Sequence, residues 1–284
     1  MIGFINVYKP TNVTSNFVVQ KIKKHFGLKK IGHMGTLDPI ASGILPIAVG
    51  KATRLFNYML EKIKTYNVEY DFGYETDTLD VTGEKIIENG SIPSLADIEE
   101  IIPSLIGKMD QVPPKFSAKN VNGERAYDLA RKGIDFELKP KEIEIIDIKI
   151  LSYQDKKLSL TITCSSGTYI RAVGRDLAYK LNTYATMTKL ERSKAGFFEI
   201  NNSINLDNLL CVQSLQNVII SPLEVFANYD KIELNNQQYI DLKNGKNIDY
   251  KFLNYNAILL FQNQIIGICN AGKNYLKLDT YLEE

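Results

Sequence analysis

The chain has 284 residues, of which 44% are hydrophobic and 24% charged, a balance typical of a folded globular protein that excludes disordered and fibrous classes. Its three cysteines are widely spaced and it has only two histidines, so neither a disulfide framework nor a Cys/His zinc site is expected, and a reducing cytoplasm is favoured. No signal peptide is recognisable and no apolar run approaches the ~18 residues that span a bilayer.

Positive charge is concentrated at the N-terminal end. The formal net charge is only +1, yet residues 1–64 carry ten lysines and arginines against two acidic side chains. Such a patch would attract a polyanion, for example a nucleic acid, to one face of the protein. The alternative is an ordinary solvated helix face rich in lysine, and composition alone leaves both interpretations open.

The first predicted elements are a strand, a helix and a second strand. Residues 3–8 are apolar and predict a strand, and an amphipathic pattern predicts a helix over about residues 14–26 that Gly27 ends. Residues 30–49 are rich in glycine and proline, which predicts a shaped loop that leads into a strand over residues 43–49. Loops of this kind often carry function.

Strands and helices alternate through the rest of the chain. The predicted elements are strands over 65–72, 142–153 and 157–164, the last two forming a hairpin, an acidic loop over 76–83, a helix over 96–102 that Pro103 ends, and a helix over about 168–181. From residue 229 onward, short β-like runs rich in Asn, Gln and Tyr predict a small all-β module. This order indicates an α+β (mixed α/β) fold.

Three segments are candidates for chemistry from their residues alone. Asp38 lies in a glycine-framed turn of the basic region, although an Asp-Pro pair usually only starts a turn. Arg171 lies where a glycine turn begins a helix, a place that also suits a bound anion or a plain surface position. The acidic side chains of Asp77, Asp80 and Glu84 fit no metal-binding spacing, so we expect them to cap their loop.

The residues around Asp38 match a known signature. Residues 32–46, GHMGTLDPIASGILP, and 50–54, GKATR, closely resemble TruB-type tRNA pseudouridine synthases. Further motifs match in the same order, namely KP at 9–10, TS at 14–15, KTY at 64–66, TDT at 76–78, PPKFSA at 113–118, GTYIR at 167–171 and LERS at 190–193. The resemblance covers roughly residues 3–200.

The resemblance implies isomerisation of the uridine at position 55, in the T loop of tRNA, to pseudouridine. The N1–C1′ bond breaks, the base rotates and C5 joins C1′, so the base must first flip out of the loop. It also implies a pseudouridine synthase fold with a mixed, mostly antiparallel sheet flanked by helices at residues 1–228, and a PUA-like module at 229–284. We expect no cofactor and no metal, the tRNA T stem-loop as partner, no obligatory protein partner, no membrane contact, and a cytoplasmic monomer.

The matched motifs assign roles to site residues. Asp38 corresponds to the family's catalytic aspartate, as nucleophile or as base at the ribose, and both roles stay open. Arg171 corresponds to the arginine that pairs with this aspartate, which a forked guanidinium orients better than a lysine would. Tyr66 corresponds to the tyrosine that stacks on the target base, and a part for this tyrosine in proton transfer is a further hypothesis. His33 corresponds to a histidine that contacts the RNA.

Further positions correspond to pocket and RNA-binding residues. They are Tyr169 and Leu190, which shape the pocket, and Lys9, Lys51 and Arg192, which we place among the substrate-binding residues. Lys9 corresponds to a family lysine near the site, and we expect its role there to be positioning. An RNA-gripping insertion corresponds to about residues 119–141, and we expect this flap to be mobile and to order on RNA binding.

Asn12, Met34 and Glu191 depart from the family pattern. Glu191 replaces a frequent arginine and so removes one phosphate contact, and Met34 replaces a small residue and would narrow the RNA path. The C-terminal module resembles the family's only in position, in one turn and in its β character. Its net charge of −1 argues for a reduced role in RNA binding.

Three other functions remain as alternatives. An RNA-binding module or tRNA-folding chaperone would not need Asp38, Tyr66 and Arg171 together, although it could coexist with catalysis. A glycoside hydrolase would pair Asp38 with Asp77 or Asp80 and need carboxyl groups about 5–5.5 or 6.5–9.5 Å apart. A relative that modifies ribosomal or guide-selected RNA would depend on partner proteins and a larger C-terminal domain.

Overall fold

The computed structural model describes residues 1–59, 63–121, 123–253, 255–270 and 272–282. Glu61 and Lys62, which belong to the N-terminal charge count, lie outside the described residues, as does Asn122 in the flap. Within the described ranges, no helix is long and apolar enough to cross a bilayer.

Strands and helices alternate along the chain, as predicted. The elements of the first half are β1 (Gly3–Lys9), α1 (Ser15–His25), β2 (Ile31–His33), β3 (Ser42–Val49), β4 (Lys64–Phe72), β5 (Glu75–Thr76), β6 (Lys85–Ile87), α2 (Leu95–Ile101), β7 (Gly107–Gln111), β8 (Asn120–Val121), β9 (Glu124–Arg125), α3 (Ala126–Arg131) and β10 (Lys141–Gln154). Those of the second half are β11 (Lys157–Cys164), α4 (Ile170–Lys180), β12 (Ala185–Ala195), β13 (Phe198–Glu199), β14 (Ile204–Asn205), α5 (Leu206–Cys211), α6 (Pro222–Val225), β15 (Asp230–Glu233), α7 (Asn236–Lys243), β16 (Ile248–Asp249), β17 (Ala257–Phe261), β18 (Gln264–Cys269), β19 (Tyr275–Leu276) and β20 (Leu278–Tyr281). Short 3-10 helices cover Gly50–Tyr58, Ile102–Leu105, Ile200–Asn202 and Leu215–Asn217.

A large mixed sheet forms the centre of the molecule. In the described part of the chain its strand order is β14-β1-β3-β12-β4-β11-β10-β7, with β13 paired to β12 and β2 paired to β3. The pairs β1/β14 and β12/β3 are parallel, whereas the other pairs of this sheet are antiparallel. The predicted mixed, mostly antiparallel sheet is therefore confirmed.

Helix α1 packs on this sheet through an apolar stripe. Val18 and Ile22, four residues apart, are buried in the core cluster that includes β1 and β3 side chains. The Thr14 side chain accepts a hydrogen bond from Phe17 N and caps the first turn. The predicted helix is confirmed.

Helix α4 lies against β4 and β12. Its Ile170 and Leu177 are buried, as the predicted apolar face requires. Gly174 allows the close approach of helix and sheet, because a Cβ at this position would collide with the ring of Tyr70. This packing fixes the first turn of α4, and therefore Arg171, above the centre of the sheet.

The predicted helix over 96–102 needs one correction at its end. Ser94 and Asp97 form a capping box that starts α2, but Pro103 does not end the helical segment. Pro103 instead lies in the first turn of the 3-10 helix Ile102–Leu105. Proline is tolerated there because a first-turn N–H has no intrahelical partner to lose.

The C-terminal residues form a second sheet with the order β15-β17-β18-β20. The prediction that this module is all-β is wrong in one element, because α7 lies between β15 and β16. Asn235 and Gln238 form a capping box that starts this helix, a local signal that overrides the β-like composition around it. Arg54 joins the module to the N-terminal half, since its Nη1 donates to Tyr281 O at 3.0 Å.

The predicted flap contains the hairpin of β8 and β9 followed by α3. Lys115 and Asp135 form an exposed salt bridge across its base, 2.9 Å long. Tyr127 N donates to Ser117 O at 3.0 Å and ties α3 to the segment that enters the flap. Ordering of the flap on RNA binding stays a prediction.

Candidate active site

Asp38 lies in the loop of residues 34–41 between β2 and β3, here called the Asp38 loop, and its side chain is 36% exposed. Ser15 holds the loop on one side, because its Oγ accepts from Leu37 N at 2.9 Å and donates to Leu37 O at 3.0 Å. On the other side, Asn12 N donates to Pro39 O at 2.7 Å. The loop backbone is thus fixed while the carboxylate stays open to solvent.

Lys9 is fully buried beneath the Asp38 loop. Its Nζ donates to Pro10 O and Val13 O at 2.8 Å each and to Pro39 O at 3.4 Å. Burial lowers the pKa of Lys9 to about 8, an effect that the charge of Asp38 partly opposes. The ammonium group donates to backbone carbonyls and does not reach the surface, so Lys9 holds the Asp38 loop in place. Contact between Lys9 and the substrate stays a prediction.

Arg171, in the first turn of α4, pairs with Asp38. Its Nε lies 2.9 Å from Asp38 Oδ2. Its Nη1 donates to Thr78 O at 2.9 Å and its Nη2 to Phe116 O at 3.0 Å. The expected forked contact is therefore replaced by a single one, because backbone carbonyls occupy the two Nη groups. Within the described residues, no group donates a hydrogen bond to Asp38 Oδ1.

Asp80 supplies a second carboxylate that interacts with Arg171. The sequence predicted only a loop-capping role for Asp80. Its Oδ2 lies 3.6 Å from Arg171 Nη1, and its Oδ1 accepts from Thr82 N at 2.9 Å. Asp77 Oδ1 accepts from Glu84 N at 2.9 Å, so the predicted loop capping is confirmed. Asp80 in addition supplies a buried negative charge to the guanidinium.

The glycoside hydrolase alternative is disfavoured by this geometry. It needs a second carboxyl group that exchanges a proton with substrate. The Asp80 side chain is only 6% exposed and is engaged by Arg171 and its own loop, while Asp77 caps backbone. Over the ranges the structure describes, no three His, Cys, Asp or Glu side chains are grouped to hold a metal ion.

Tyr66 lies on β4 next to the Asp38 loop and is 7% exposed. It belongs to the same buried cluster as Leu37 and Leu190, and the role of Leu190 as a pocket residue stays a prediction. Burial raises the pKa of the Tyr66 phenol, and the charge of Arg192 opposes this in part. Stacking of Tyr66 on a base stays a prediction.

Tyr169 immediately precedes α4 and is clamped by a residue that the sequence reasoning missed. Gln111, at the end of β7, accepts from Tyr169 N at 2.9 Å and donates to Tyr169 O at 3.3 Å. Gln111 is 2% exposed, and 58 residues separate it from its partner, so no local pattern could have identified it. The clamp fixes the chain where Arg171 enters the site.

Arg192 is the largest fully buried side chain in the described part of the molecule. Its Nε donates to Ile44 O at 2.8 Å and its Nη2 to Gly35 O at 3.0 Å, so it links the start of the Asp38 loop to β3. Its guanidinium lies beneath the loop and not at the surface, and its part in substrate binding stays a prediction.

His33 is the last residue of β2 and precedes β3 in the chain, whereas Lys51 follows β3. Burial and the charge of Arg192 lower the pKa of His33, whose Nδ1 is buried without a partner among the described residues. Lys51 Nζ lies 4.9 Å from the centroid of the Tyr281 ring, at the contact with the C-terminal sheet. RNA contact by either residue stays a prediction.

The three departures from the family pattern have local structural roles. Asn12 adopts a φ of 62°, a left-handed conformation that asparagine tolerates. Met34 is 7% exposed and packs in a core cluster, so the expectation that it narrows the RNA path is corrected. Glu191 accepts a hydrogen bond from Tyr8 OH at 2.7 Å.

The chain is similar to a known protein family and to named relatives over most of its length. The family model described as TruB family pseudouridylate synthase (N terminal domain) matches residues 23–170. A relative named tRNA pseudouridine synthase B from Ehrlichia ruminantium is 35% identical and covers 98% of each chain. Another of the same name, from Clostridium novyi, is 39% identical and covers 99% of this chain and 100% of its own.

Comparison with solved structures concerns the fold. The structure of an H/ACA RNP bound to a substrate RNA containing 2'-deoxyuridine matches with a TM-score of 0.74 at 18% identity, covering 99% of this chain and 85% of the other. A Cbf5-Nop10-Gar1 complex matches with a TM-score of 0.73 at 21% identity, covering 99% and 84%. The predicted fold class is therefore confirmed.

Proposed function

The chain belongs to the TruB family of pseudouridylate synthases, and on that premise we propose that it isomerises the uridine at position 55 in the T loop of tRNA to pseudouridine. The observation that carries this proposal is the geometry of Asp38, in which Arg171 holds Oδ2 while Oδ1 stays open for reaction. The names of relatives that match almost the whole chain support tRNA as the substrate.

Asp38 acts at the ribose of the flipped nucleotide. As a nucleophile, its open oxygen attacks C1′ while the N1–C1′ bond breaks, and the resulting Asp38–C1′ bond breaks in turn when C5 attacks C1′. As a base, it removes a proton from the ribose carbon next to C1′ while the N1–C1′ bond breaks, and it returns that proton when C5 bonds to C1′. The detached uracil then rotates, C5 bonds to C1′, and the proton leaves C5 while N1 ends protonated. The atoms of substrate and product balance, so no cofactor or metal is required. Arg171 orients the carboxylate through either route.

Binding must offset the few kcal/mol that base flipping costs. The basic N-terminal third attracts the RNA, and Tyr66, His33, Tyr169 and Leu190 surround the extruded base. In this arrangement residues 1–228 form the catalytic domain, residues 119–141 grip the RNA, and the PUA-like residues 229–284 contribute little to binding. The enzyme acts as a cytoplasmic monomer with no obligatory protein partner.

The test is an unmodified T-arm stem-loop incubated with wild type and with Asp38→Asn. Carbodiimide labelling followed by primer extension locates pseudouridine, and we expect one stop, at the T-loop uridine, with wild type alone. Binding without conversion by wild type would contradict the proposal and favour the chaperone alternative. Size-exclusion chromatography of the enzyme with and without RNA checks the monomer.

A further inference from the structure

Lys64 and Arg192 bring two cationic groups together beneath the Asp38 loop. A Cβ placed on Gly35 would lie 3.4 Å from Lys64 Nζ and 3.5 Å from Arg192 Nη1, so both nitrogens face the same side of this glycine. Gly35 has a φ of 125°, which favours glycine and keeps that space free of a side chain. The loop thus leaves a small cradle above two positive charges.

Among the described residues, no negatively charged group pairs with the Lys64 ammonium or the Arg192 guanidinium. Arg192 Nη1 has no hydrogen-bond partner there, and no carboxylate pairs with Lys64. The nearby thiol of Cys164 is neutral, because burial raises its pKa to about 11. Burial and the repulsion of Arg192 lower the pKa of Lys64 to about 8. Lys9, by contrast, has three carbonyl partners.

Two cations held close together without a counter-charge are costly for a folded protein unless an anion joins them. Lys64 precedes Tyr66 by two residues on β4, so both side chains lie on the same face of the sheet, about 6–7 Å apart. An anion bound by Lys64 would therefore lie next to the side chain expected to stack on the target base. Within an RNA substrate, the group with a full negative charge at that place is a backbone phosphate.

We propose that the Lys64 ammonium group, with Arg192 behind it, binds a backbone phosphate adjacent to the target nucleotide. Lys64 makes the direct contact, because Arg192 is closed off beneath Gly35. This inference deepens the proposed function and rests on RNA being the substrate. It adds a contact that holds the flipped nucleotide's backbone while Asp38 acts on its ribose.

The binding test separates this contact from catalysis. A fluorescently labelled T-arm is titrated with Asp38→Asn, alone and combined with Lys64→Met, Lys64→Arg or Lys180→Met. We expect Lys64→Met to weaken binding about tenfold and to reduce the salt slope of log Kd by about 1, as for one lost phosphate contact. Lys64→Arg restores most of the affinity. Lys180→Met, at the opposite end of α4 from Arg171, changes neither.

Two further readouts distinguish the failure modes. In proteins with Asp38 intact, we expect Lys64→Met to raise KM far more than it lowers kcat. A loss confined to kcat would overturn the phosphate assignment and would indicate that Lys64 contacts the uracil. The Lys64→Met variant is also expected to unfold at the same urea concentration as the wild type or a higher one, because the substitution removes a buried charge that has no counter-charge. A loss of stability in this variant would overturn the inference. If the wild type binds RNA through Lys64 but makes no pseudouridine, the proposed function is refuted, whereas the proposed phosphate contact of Lys64 is not.

Discussion

Ser15 Oγ forms two hydrogen bonds with the backbone of Leu37, one as donor and one as acceptor. Ser15 is the first residue of α1, and Leu37 directly precedes Asp38. Both partners are buried, so this pair couples the start of the helix to the position of the carboxylate. Removing the hydroxyl would leave a buried N–H and a buried carbonyl without partners.

Ser15→Ala is therefore expected to lower the free energy of unfolding by about 1–3 kcal/mol and to lower kcat. Thr14→Ala is the matched control, because it removes the helix cap, worth about 1 kcal/mol, without touching the Asp38 loop. Urea unfolding and turnover of the T-arm check both variants. Equal kcat values in the two variants would contradict the coupling.

Arg171→Lys is expected to lower kcat about 100-fold, because a lysine cannot hold Asp38, Thr78 O and Phe116 O at once and the carboxylate loses its orientation. Single-turnover measurement at saturating RNA checks it. The control is Arg175→Lys, one turn further along α4, whose guanidinium bonds Val112 O and not the Asp38 loop. A rate within a few-fold of wild type in Arg171→Lys would count against the orienting role.

Gln111→Leu tests the clamp on Tyr169. The variant keeps the side-chain volume but leaves Tyr169 N and O unpaired, so we expect a loss of about 1–3 kcal/mol in the free energy of unfolding and a lower kcat/KM. Gln216→Leu, in an exposed 3-10 helix far along the chain, serves as the control. Unchanged kcat/KM with intact stability would show that the clamp does not position the site.

His33 predicts a pH dependence of stability. Its pKa is lowered in the folded protein by burial and by Arg192, so below about pH 6.5 the unfolded chain takes up a proton that the folded chain does not. The wild type should therefore lose stability as the pH falls below about 6.5, whereas above it His33 contributes nothing. Urea unfolding over this range, compared with His33→Gln, measures the difference. Parallel curves for the two proteins would contradict the prediction.

Lys64 predicts a pH dependence of RNA binding. With a pKa of about 8 beside Arg192 and Cys164, the free amine loses its proton above that pH, and a bound phosphate must restore it. The affinity advantage of wild type over Lys64→Met should be full below about pH 8 and decline above it. Anisotropy titrations at several pH values test this. An advantage that is constant up to about pH 10 would contradict the assignment.

Long-range partners explain what the sequence reasoning missed. The family motif placed Lys9 and Arg192 among the substrate-binding residues, but a motif does not show which charged side chains the fold buries. Arg192 donates to Gly35 O, 157 residues away in the chain, whereas Lys9 combines the local carbonyls of Pro10 and Val13 with the more distant Pro39 O. Gln111 likewise meets Tyr169 only across the sheet. Helix α7 was missed for a different reason, since its capping box is local but was outweighed by composition.

Local patterns by themselves determined much of this protein. The boundaries of α1 follow from a cap and an apolar stripe within a few residues, and the Asp38 motif is a continuous run, so both are readable from the sequence. Only the tertiary structure decided which oxygen of Asp38 is held by Arg171 and which cations lack a partner. The physical reason is that a buried charge is stabilised by groups from distant segments, and their arrangement exists only after the sheet has formed.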